Sequence, residues 1–421
     1  MSSTTKDASS SEAPALPLGG FTIIDMTTSY AGPTATMYLA DMGAEVIKVE
    51  RPGEGDDARS WGPPFVGSSS AWFHSANRNK RSIALNLRSQ EGREVLDQLL
   101  TSADVFVENI NPAKLASLHL EPEVVSARHP HLVYCAISGF GLTGPHRDLG
   151  GYDLLAQARS GLMSVTGEAG RSPQRVSTAL SDIATGLVAA FAVVAVLHQR
   201  VKNGRGEVID VSLLDTDLAL MAPRIASYLA GEPEPAPSGA TDSVLAVYQQ
   251  FATADRPIVV AVGNDAIWVR FCEAADLENL ALDKALGSNA ARRADRPRIL
   301  GMIKERLATK TSAEWLEIFE SAGVPVSLIQ GLAEVVNDAQ VQARGGIMAM
   351  SSNTVTAQVV ASPWRLSGRV GGSGARLLDQ PGADTVEVLR SHGFGVDEIE
   401  ALFCSGAVGP IAETWRISEE D

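Results

Sequence analysis

One aspartate lies where a helix is expected to begin, and its chemistry would be that of a carboxylate nucleophile. Ser181 has the residue type of a helix N-cap, which would place Asp182 in the first turn. Apolar residues follow at helical spacing: Ile183, Leu187, Ala190, Phe191 and Val194. Exposed N–H groups and the helix dipole favour an anion there, so we expect Asp182 to be ionised near neutral pH. By position alone, an aspartate that only stabilises the helix start is the commoner case.

A glycine pattern, Gly139-Phe-Gly141-Leu-Thr-Gly144, follows a stretch that is expected to be a buried strand. It matches the dinucleotide fingerprint G-x-G-x-x-G, which requires a helix to begin there so that the helix N-terminus faces the pyrophosphate. Pro145 and the polar and glycine residues after it indicate a loop instead. We therefore favour a sharp turn, or a close approach of the backbone to a ligand, as the reason for these glycines.

Basic residues near two expected strand ends form a candidate anion site. Arg51 ends the second expected strand, while Lys80 and Arg81 precede the third. Ligands of open α/β sheets bind at strand ends, so these side chains could hold a polyphosphate. The alternative is that they are solvated surface charges. The arginine cluster at 292–298 is interpreted as an exposed helix face.

Strand and helix patterns alternate from Gly20 onward, which predicts an α/β fold with a largely parallel sheet and helices on its faces. Strands are expected at 21–25, 45–49, 82–87, 105–107, 132–137 and 207–211. Helices are expected at 33–42, 91–102, 153–165 and 181–199. After a linker-like segment at 231–240, a smaller region begins with a β-rich stretch at 244–262 and continues with helices at 265–275, 290–307 and 312–322.

Length and charge limit the possible classes of protein. A chain of 421 residues favours two domains, and a net charge of −15 disfavours a nucleic-acid partner. The three cysteines, Cys135, Cys272 and Cys404, are far apart, which argues against a disulfide framework or a zinc site and favours a reducing cytoplasm.

Neither the N-terminal residues nor the longest apolar run predicts a membrane protein. Residues 1–17 lack an apolar core, so a disordered tail is expected there rather than a signal peptide. The longest apolar run, Gly186 to Leu197, is too short to cross a bilayer and is expected to be a buried helix.

Motifs spread over about residues 18–220 give a more specific indication, because they keep a common order and spacing. They include Ala31-Gly-Pro33, Val49-Glu-Arg51-Pro, Asn77-Arg-Asn-Lys80-Arg-Ser82, Ala103-Asp-Val-Phe-Val-Glu-Asn109, Gly151-Tyr-Asp, Asp182-Ile-Ala-Thr-Gly186 and Gly204-Arg-Gly206. Together they resemble class III CoA-transferases of the formyl-CoA transferase and carnitine CoA-transferase type. They are also similar to the related α-methylacyl-CoA racemases.

This resemblance implies a role for each matching residue. Asp182 would be the nucleophile that carries CoA as an aspartyl thioester, formed through an acyl anhydride. The contacts to CoA would be Thr28, Ser29, Arg51, Lys80, Asn109 and Ile110, with Arg51 and Lys80 on the phosphates. The acyl group would lie near Tyr30, Tyr152, Gly139 and Gly141, and the glycine N–H groups would stabilise oxyanions. Coenzyme A would be a substrate, with no permanently bound cofactor and no metal.

The resemblance also implies the assembly. It predicts an interlaced homodimer whose subunits each have a Rossmann-like large domain and a smaller α+β domain. The large domain would combine residues 18–225 with residues 331–421, and the small domain with its linkers would span 226–330. No membrane partner is expected.

Three departures from the family pattern affect the prediction. A basic residue is replaced near Ser117, which removes one expected phosphate contact. Tyr30 replaces the glutamine beside the acyl site of formyl-CoA transferase, and segment 238–247 lacks that enzyme's glycine-rich lid. Formyl and oxalyl transfer are therefore disfavoured, and a bulkier acid is expected.

Two other functions compete with the transferase. A racemase would need a histidine where this chain has Tyr152, and a phenol is a poor proton carrier at neutral pH. Asp265 occupies the position of a second racemase acid but does not restore the pair of bases. The remaining alternative is a non-catalytic CoA-binding protein.

Overall fold

The computed structural model describes residues 16–241, 244–372, 374 and 376–409. Residues 1–15 of the expected disordered tail, and 242–243 of segment 238–247, lie outside this description. The chain divides into two compact units. The large unit comprises the residues up to 160, 177–223 and the residues from 342 onward, and the small unit comprises 161–176 and 224–341. The boundaries predicted near 225 and 330 stay a prediction, because compact contacts alone do not establish independently folding domains.

The first part of the chain alternates strands and helices. In order, the elements are β1 (Thr22–Met26), α1 (Ala31–Asp41), β2 (Glu45–Glu50), β3 (Phe65–Val66), β4 (Ser69–Ser70), α2 (Ala71–Ala76), β5 (Arg81–Ala84), α3 (Gln90–Ser102), β6 (Val105–Glu108), α4 (Pro112–Leu118), α5 (Pro122–Arg128), β7 (Val133–Ser138) and α6 (Asp153–Arg159). A 3-10 turn spans Asp57–Ser60. They are followed by α7 (Leu162–Val165), α8 (Leu180–Asn203), β8 (Val208–Ser212), α9 (Leu213–Leu220) and α10 (Ala222–Leu229).

Six of these strands form one parallel sheet in the order β5-β2-β1-β6-β7-β8. This confirms the predicted α/β fold. The connections run outward from β1 to one edge and then from β6 to the other, so β1 and β6 flank the point where the order reverses. In such sheets that point opens a crevice at the carboxyl ends of the strands, where ligands bind.

The rest of the chain adds shorter elements. They are β9 (Tyr248–Phe251), β10 (Ile258–Ala261), α11 (Asp265–Ala274), α12 (Glu278–Leu282), a 3-10 turn (Lys284–Leu286), α13 (Asn289–Ala294), α14 (Arg296–Leu307), α15 (Ser312–Ser321), β11 (Val326–Leu328), α16 (Leu332–Val335), α17 (Ala339–Ala343), β12 (Ile347–Ser351), β13 (Thr356–Val360), β14 (Arg365–Leu366), β15 (Arg369–Val370), α18 (Thr385–Ser391) and α19 (Val396–Cys404). In the small unit, β9, β10 and β11 form an antiparallel sheet.

Two predicted helices are each broken in the structure. The helix expected at 153–165 is α6 and α7, because Gly161 lies between them with φ +85° and ends the helical path. The helix expected at 290–307 is α13 and α14. Pro297 lies in the first turn of α14, where it cannot continue an earlier helix because it lacks an N–H.

Helix α8 positions the predicted nucleophile. It begins at Leu180 with Ala179 as N-cap, so the expectation that Ser181 caps the helix is wrong. Its buried face packs on the sheet through Ala189, Val193 and Leu197. At 24 residues it is longer than the predicted apolar run. Within the described residues it is the one helix long and apolar enough to cross a bilayer, which is weak evidence because a core helix has the same features.

Candidate active site

The first turn of α8 is capped by a carboxylate from α6. The Asp153 Oδ2 accepts hydrogen bonds from the backbone N–H of Ser181 at 2.8 Å and from that of Asp182 at 3.4 Å. The other oxygen of Asp153 accepts from Gln157 at 2.6 Å. These bonds satisfy donors that a helix N-terminus leaves open, and they fix the backbone from which the Asp182 side chain extends.

A second carboxylate reaches the same turn from α9. The Asp217 Oδ2 accepts hydrogen bonds from the hydroxyls of Ser181, at 2.8 Å, and Ser160, at 3.4 Å. The Asp217 side chain is fully buried. Three carboxyl groups, those of Asp153, Asp182 and Asp217, therefore surround the start of α8.

The three carboxyl groups change the expected charge of Asp182. Burial, and to a smaller extent the charges of Asp153 and Asp217, together raise the pKa of Asp182 to about 7. The prediction that Asp182 is fully ionised near neutral pH is therefore wrong. The helix dipole, which favours the anion, does not offset burial and two like charges. Near pH 7 the carboxyl is divided between its acid and its carboxylate.

The two predicted glycines have different structural reasons. Gly139 crosses the backbone at Gly151, where an added Cβ at Gly139 would lie 2.4 Å from the Gly151 Cα. Gly141 has φ +91°, and its N–H donates to Ser138 Oγ at 2.8 Å. An oxyanion could take that N–H only by displacing the serine hydroxyl. Gly141 thus serves the expected turn, whereas the close approach at Gly139 is made to another part of the backbone and not to the expected ligand.

Tyr30 is brought to Asp182 by the packing of α1 on α8. At the crossing, a Cβ added to Gly186 would lie 2.8 Å from the Ala31 carbonyl oxygen, so only a glycine permits this approach. The Tyr30 hydroxyl pairs with Ser75 Oγ at 2.8 Å. Burial raises the pKa of Tyr30, the hydrogen bond to Ser75 opposes this, and the charge of Asp182 acts in the same direction as burial.

Tyr152 lies at the N-cap of α6, directly before Asp153. It is 66% exposed in the single chain. The exposed ring can contact a substrate, whereas the adjacent Asp153 carboxylate is hydrogen-bonded to the first turn of α8.

The predicted CoA residues Thr28 and Asn109 meet at the reversal point of the sheet. The Thr28 N–H donates to Asn109 Oδ1 at 2.9 Å, and Asn109 Nδ2 donates to the Thr28 carbonyl at 2.8 Å. Ser29 has φ +70°, and its N–H donates to Asp56 Oδ1 at 3.0 Å. The Ile110 N–H donates to the Glu108 side chain at 2.7 Å. The structure therefore gathers four predicted contacts, on two loops, where such sheets bind ligands.

Lys80 is placed differently from the other predicted CoA contacts. Its ammonium is fully buried and donates to Asp25, at 2.9 Å, and also to the Pro33 carbonyl and the Asn77 side chain. Burial lowers the pKa of Lys80 to about 8 despite the attraction of Asp25. All three N–H donors are occupied, so a phosphate would have to displace an internal partner. This geometry favours a positioning role over a direct contact.

Arg51 is the exposed member of the predicted phosphate pair. Its guanidinium bonds to Asp57 and donates to the Gly55 carbonyl at 3.0 Å. It lines a cleft of about 570 Å³ together with Phe65. Ser117, at the position of the lost basic residue, lies on α4 and donates to the carbonyl of the exposed Lys114. Lys114 therefore offers a positive charge one helical turn away.

The small unit contains the residue that the racemase alternative needs. Asp265 forms an ion pair with Arg292, which is only 2% exposed. The expectation that the arginine cluster forms an exposed face is thus wrong for Arg292, because its guanidinium satisfies Asp265 and the Leu286 carbonyl.

Sequence reasoning missed the two carboxylates that flank Asp182. A signal for Asp153 was present, because it belongs to the motif Gly151-Tyr-Asp. Asp217 carried no signal, since it lies in a short, mostly apolar helix and meets α8 only through tertiary packing.

Comparison with known proteins gives the same identification as the motifs. The model of CoA-transferase family III matches residues 18–381. The succinyl-CoA:glutarate CoA-transferase of Mus musculus is 40% identical over 93% of this chain and 90% of its own length. The succinate–glutarate CoA-transferase of Agrobacterium fabrum is 38% identical over 78% of this chain and 84% of its own. The acetyl-CoA:oxalate CoA-transferase of Acetobacter aceti is 34% identical over 87% of this chain and 94% of its own length.

A solved structure shows the same fold. The crystal structure of a CAIB/BAIF family protein from Brucella suis has a TM-score of 0.79 and 34% identity, and covers 90% of this chain and all of that one. The resemblance drawn from the motifs is thereby confirmed. This chain belongs to CoA-transferase family III, and it is a CoA-transferase.

Proposed function

We propose that this CoA-transferase moves CoA from succinyl-CoA or a similar acyl-CoA to a dicarboxylic acid such as glutarate, with Asp182 as the covalent carrier. The observation that carries the proposal is the carboxyl group of Asp182, which is partly exposed at the capped start of α8. The acids named for the relatives from Mus musculus and Agrobacterium fabrum support the choice of substrates.

The reaction would use two acyl transfers and their reversal. An Asp182 Oδ attacks the donor thioester carbonyl, so a C–O bond forms, the C–S bond breaks, and CoA leaves as the thiolate. The thiolate then attacks the aspartyl carbonyl of this anhydride, which forms the aspartyl-CoA thioester and releases the donor carboxylate. The acceptor carboxylate repeats these steps in reverse. In each step the negative charge passes from the attacking group to the leaving group, and the total charge stays the same. The reaction therefore consumes no proton, metal or nucleotide.

The residues around Asp182 have distinct parts in this chemistry. A carboxylate whose pKa is raised to about 7 is a stronger base and hence a better nucleophile, although less of it is ionised at pH 7. The backbone near Gly139 would stabilise the oxyanions. The loops of Thr28 and Asn109, with Arg51, would hold CoA so that the thiolate remains beside the anhydride, which makes its recapture effectively unimolecular.

The aromatic side chains expected at the acyl site favour an acid larger than formate or oxalate. Tyr30 brings an aromatic ring, packed edge-on against Trp72 at 5.3 Å, to the side of Asp182. The exposed Tyr152 offers a second ring. Since the Acetobacter aceti relative is named for oxalate, a screen of acceptors must include that acid.

We further propose an interlaced homodimer in a reducing cytoplasm. Phe191 on α8 is 76% exposed in the single chain, beside the exposed Leu187 and Val188, and a second subunit would cover this apolar face. The free thiol of Cys404 is exposed, which suits a reducing compartment.

A trapping experiment tests the proposal. The protein is incubated with succinyl-CoA and then hydroxylamine, and the peptide that contains Asp182 is analysed by mass spectrometry. An aspartyl hydroxamate at Asp182 is expected, and it should be absent from the folded Asp182→Ala variant together with CoA exchange. A hydroxamate on another residue, or exchange that persists in the variant, would refute the assignment.

The racemase alternative receives no support from the site. Tyr152 occupies the position of the required histidine, and Asp265 is held in an ion pair with Arg292. Solvent deuterium incorporation at the α-carbon of a 2-methylacyl-CoA would be the sign of that activity.

A further inference from the structure

We propose that Asp217, together with Asp153, drives the acylation of Asp182 by repelling its carboxylate form and sparing its acylated form. Asp217 would thus be a positioning residue that also sets the charge balance of the reaction. This inference rests on the proposed role of Asp182 as the covalent carrier.

The hydrogen bonds of Asp217 hold its charge close to the nucleophile. Its Oδ2 accepts from the hydroxyl of Ser181, the residue directly before Asp182, at 2.8 Å. The hydroxyl of Ser160, at the end of α6, approaches the same oxygen at 3.4 Å. Both donors are neutral, so they hold the carboxyl group in place without cancelling the charge of its ionised form. Burial raises the pKa of Asp217, so that ionised form is favoured at alkaline pH.

The other oxygen of Asp217 has no structural task of its own. Asp217 Oδ1 is buried, and it has no hydrogen-bond partner in the described part of the chain. A buried carboxylate oxygen without a donor is costly to the folded protein. An asparagine or a serine could also accept the hydrogen bond from Ser181, and neither would bury a negative charge. We therefore infer that the negative charge of Asp217 has a function.

The titratable groups that face Asp182 come from three helices that pack with α8. Asp153 lies on α6, Asp217 on α9, and the neutral phenol of Tyr30 at the start of α1. Among the described residues, no lysine or arginine forms an ion pair with any of the three aspartates. The direction of the Asp182 pKa agrees with this geometry.

Acylation removes one of the three negative charges. When the Asp182 oxygen bonds to the donor carbonyl carbon and the C–S bond breaks, the charge leaves on the CoA thiolate. When the thiolate then forms the aspartyl thioester, the charge leaves with the donor carboxylate. The neutral thioester is not repelled by Asp153 and Asp217, whereas the free carboxylate is. The two neighbours therefore raise the equilibrium fraction of the covalent intermediate.

Asp217→Asn tests this charge effect with little change of shape. The full-length protein is equilibrated at pH 8.5 with fixed succinyl-CoA and succinate, and intact-protein mass spectrometry gives the ratio of aspartyl-CoA thioester to free enzyme. Asp215→Asn is the matched control, because Asp215 lies on the same helix but is exposed and bonds to Ser212.

We expect Asp217→Asn to lower the thioester ratio about tenfold and to move the pH midpoint of single-turnover acylation down by about one unit. Asp215→Asn should match the wild type. A normal ratio and midpoint in Asp217→Asn would overturn the inference, and so would a slower acylation with an unchanged midpoint, which indicates a purely structural role.

Further outcomes distinguish a failure of this inference from a failure of the proposed function. If Asp217→Asn does not fold, Asp153→Asn replaces it, because its amide oxygen can still accept the N–H groups of α8, and the same two shifts are expected. If the wild-type protein forms no thioester, the proposed function itself fails. If the wild type forms it and neither asparagine variant changes its amount, only the present inference fails.

Discussion

Gly139 and Gly151 lie so close that a Cβ added to Gly151 would be 2.2 Å from the Gly139 Cα. This crossing connects the loop after β7 to the residues just before α6. Since Asp153 follows two residues later and caps α8, the contact between the two glycines helps to determine where Asp182 lies.

Gly151→Ala should therefore impair catalysis through a displaced Asp153. We expect kcat for CoA exchange to fall at least about tenfold, because small displacements of reacting groups are costly. Gly150→Ala is the matched control, since an added Cβ there meets no atom within 4 Å. Steady-state kinetics of both variants check this, and equal activities would contradict it.

The activity should depend on pH through Asp182 itself. Because burial and two like charges raise the pKa of Asp182 to about 7, the nucleophilic carboxylate forms mainly above neutrality. We expect kcat/KM for the acyl-CoA donor to increase between pH 6 and 8, with a midpoint near 7. A profile that is flat over this range would show that Asp182 is already ionised at pH 6.

Asp182 should also reduce the stability of the protein at high pH. Its pKa is about 7 in the folded state, above the ordinary value of 3.8, so folding takes up a proton between these pH values. The contribution of Asp182 to the free energy of unfolding therefore falls as pH rises through this window.

Asp182→Asn removes this penalty. At pH 8 we expect the variant to be more stable than the wild type by about 2 kcal/mol, a figure reduced from the full linkage value because the side chain is partly exposed. At pH 4 the two proteins should have nearly the same stability. Thermal unfolding of both at the two pH values measures the difference, and a wild type that is more stable at pH 8 would refute the raised pKa.

Mutation of Lys80 should lower the stability of the protein, whereas mutation of Arg51 should weaken the binding of acyl-CoA. Lys80→Ala leaves Asp25 buried without its partner, so we expect a loss of roughly 3–5 kcal/mol of stability. Arg51→Ala removes an exposed guanidinium, so stability should change little while KM for acyl-CoA increases several-fold. Denaturant titrations and kinetics separate the two effects. An unchanged KM in Arg51→Ala would remove that residue from the CoA site.

The sequence by itself determined the fold class and the family, and it singled out Asp182 as the proposed carrier residue. Strand and helix patterns around Thr22–Met26 and Ala31–Asp41 are local, and so they can be read without knowing the tertiary contacts. The motif around Asp182 likewise lies in consecutive residues. The pattern also predicted that glycines 139 and 141 serve a turn or a close approach to a ligand. The turn is present at Gly141, and Gly139 instead approaches the backbone of Gly151.

Only the tertiary structure decided the charge of the site and the roles of its basic residues. Asp153 and Asp217 are 29 and 35 residues from Asp182 along the chain, and they meet it because α6, α8 and α9 pack together. The resulting pKa depends on burial and on through-space charge, which no local pattern contains. Lys80 likewise resembles a surface cation in the sequence, and becomes an internal partner of Asp25 only when β1 and β5 join one sheet.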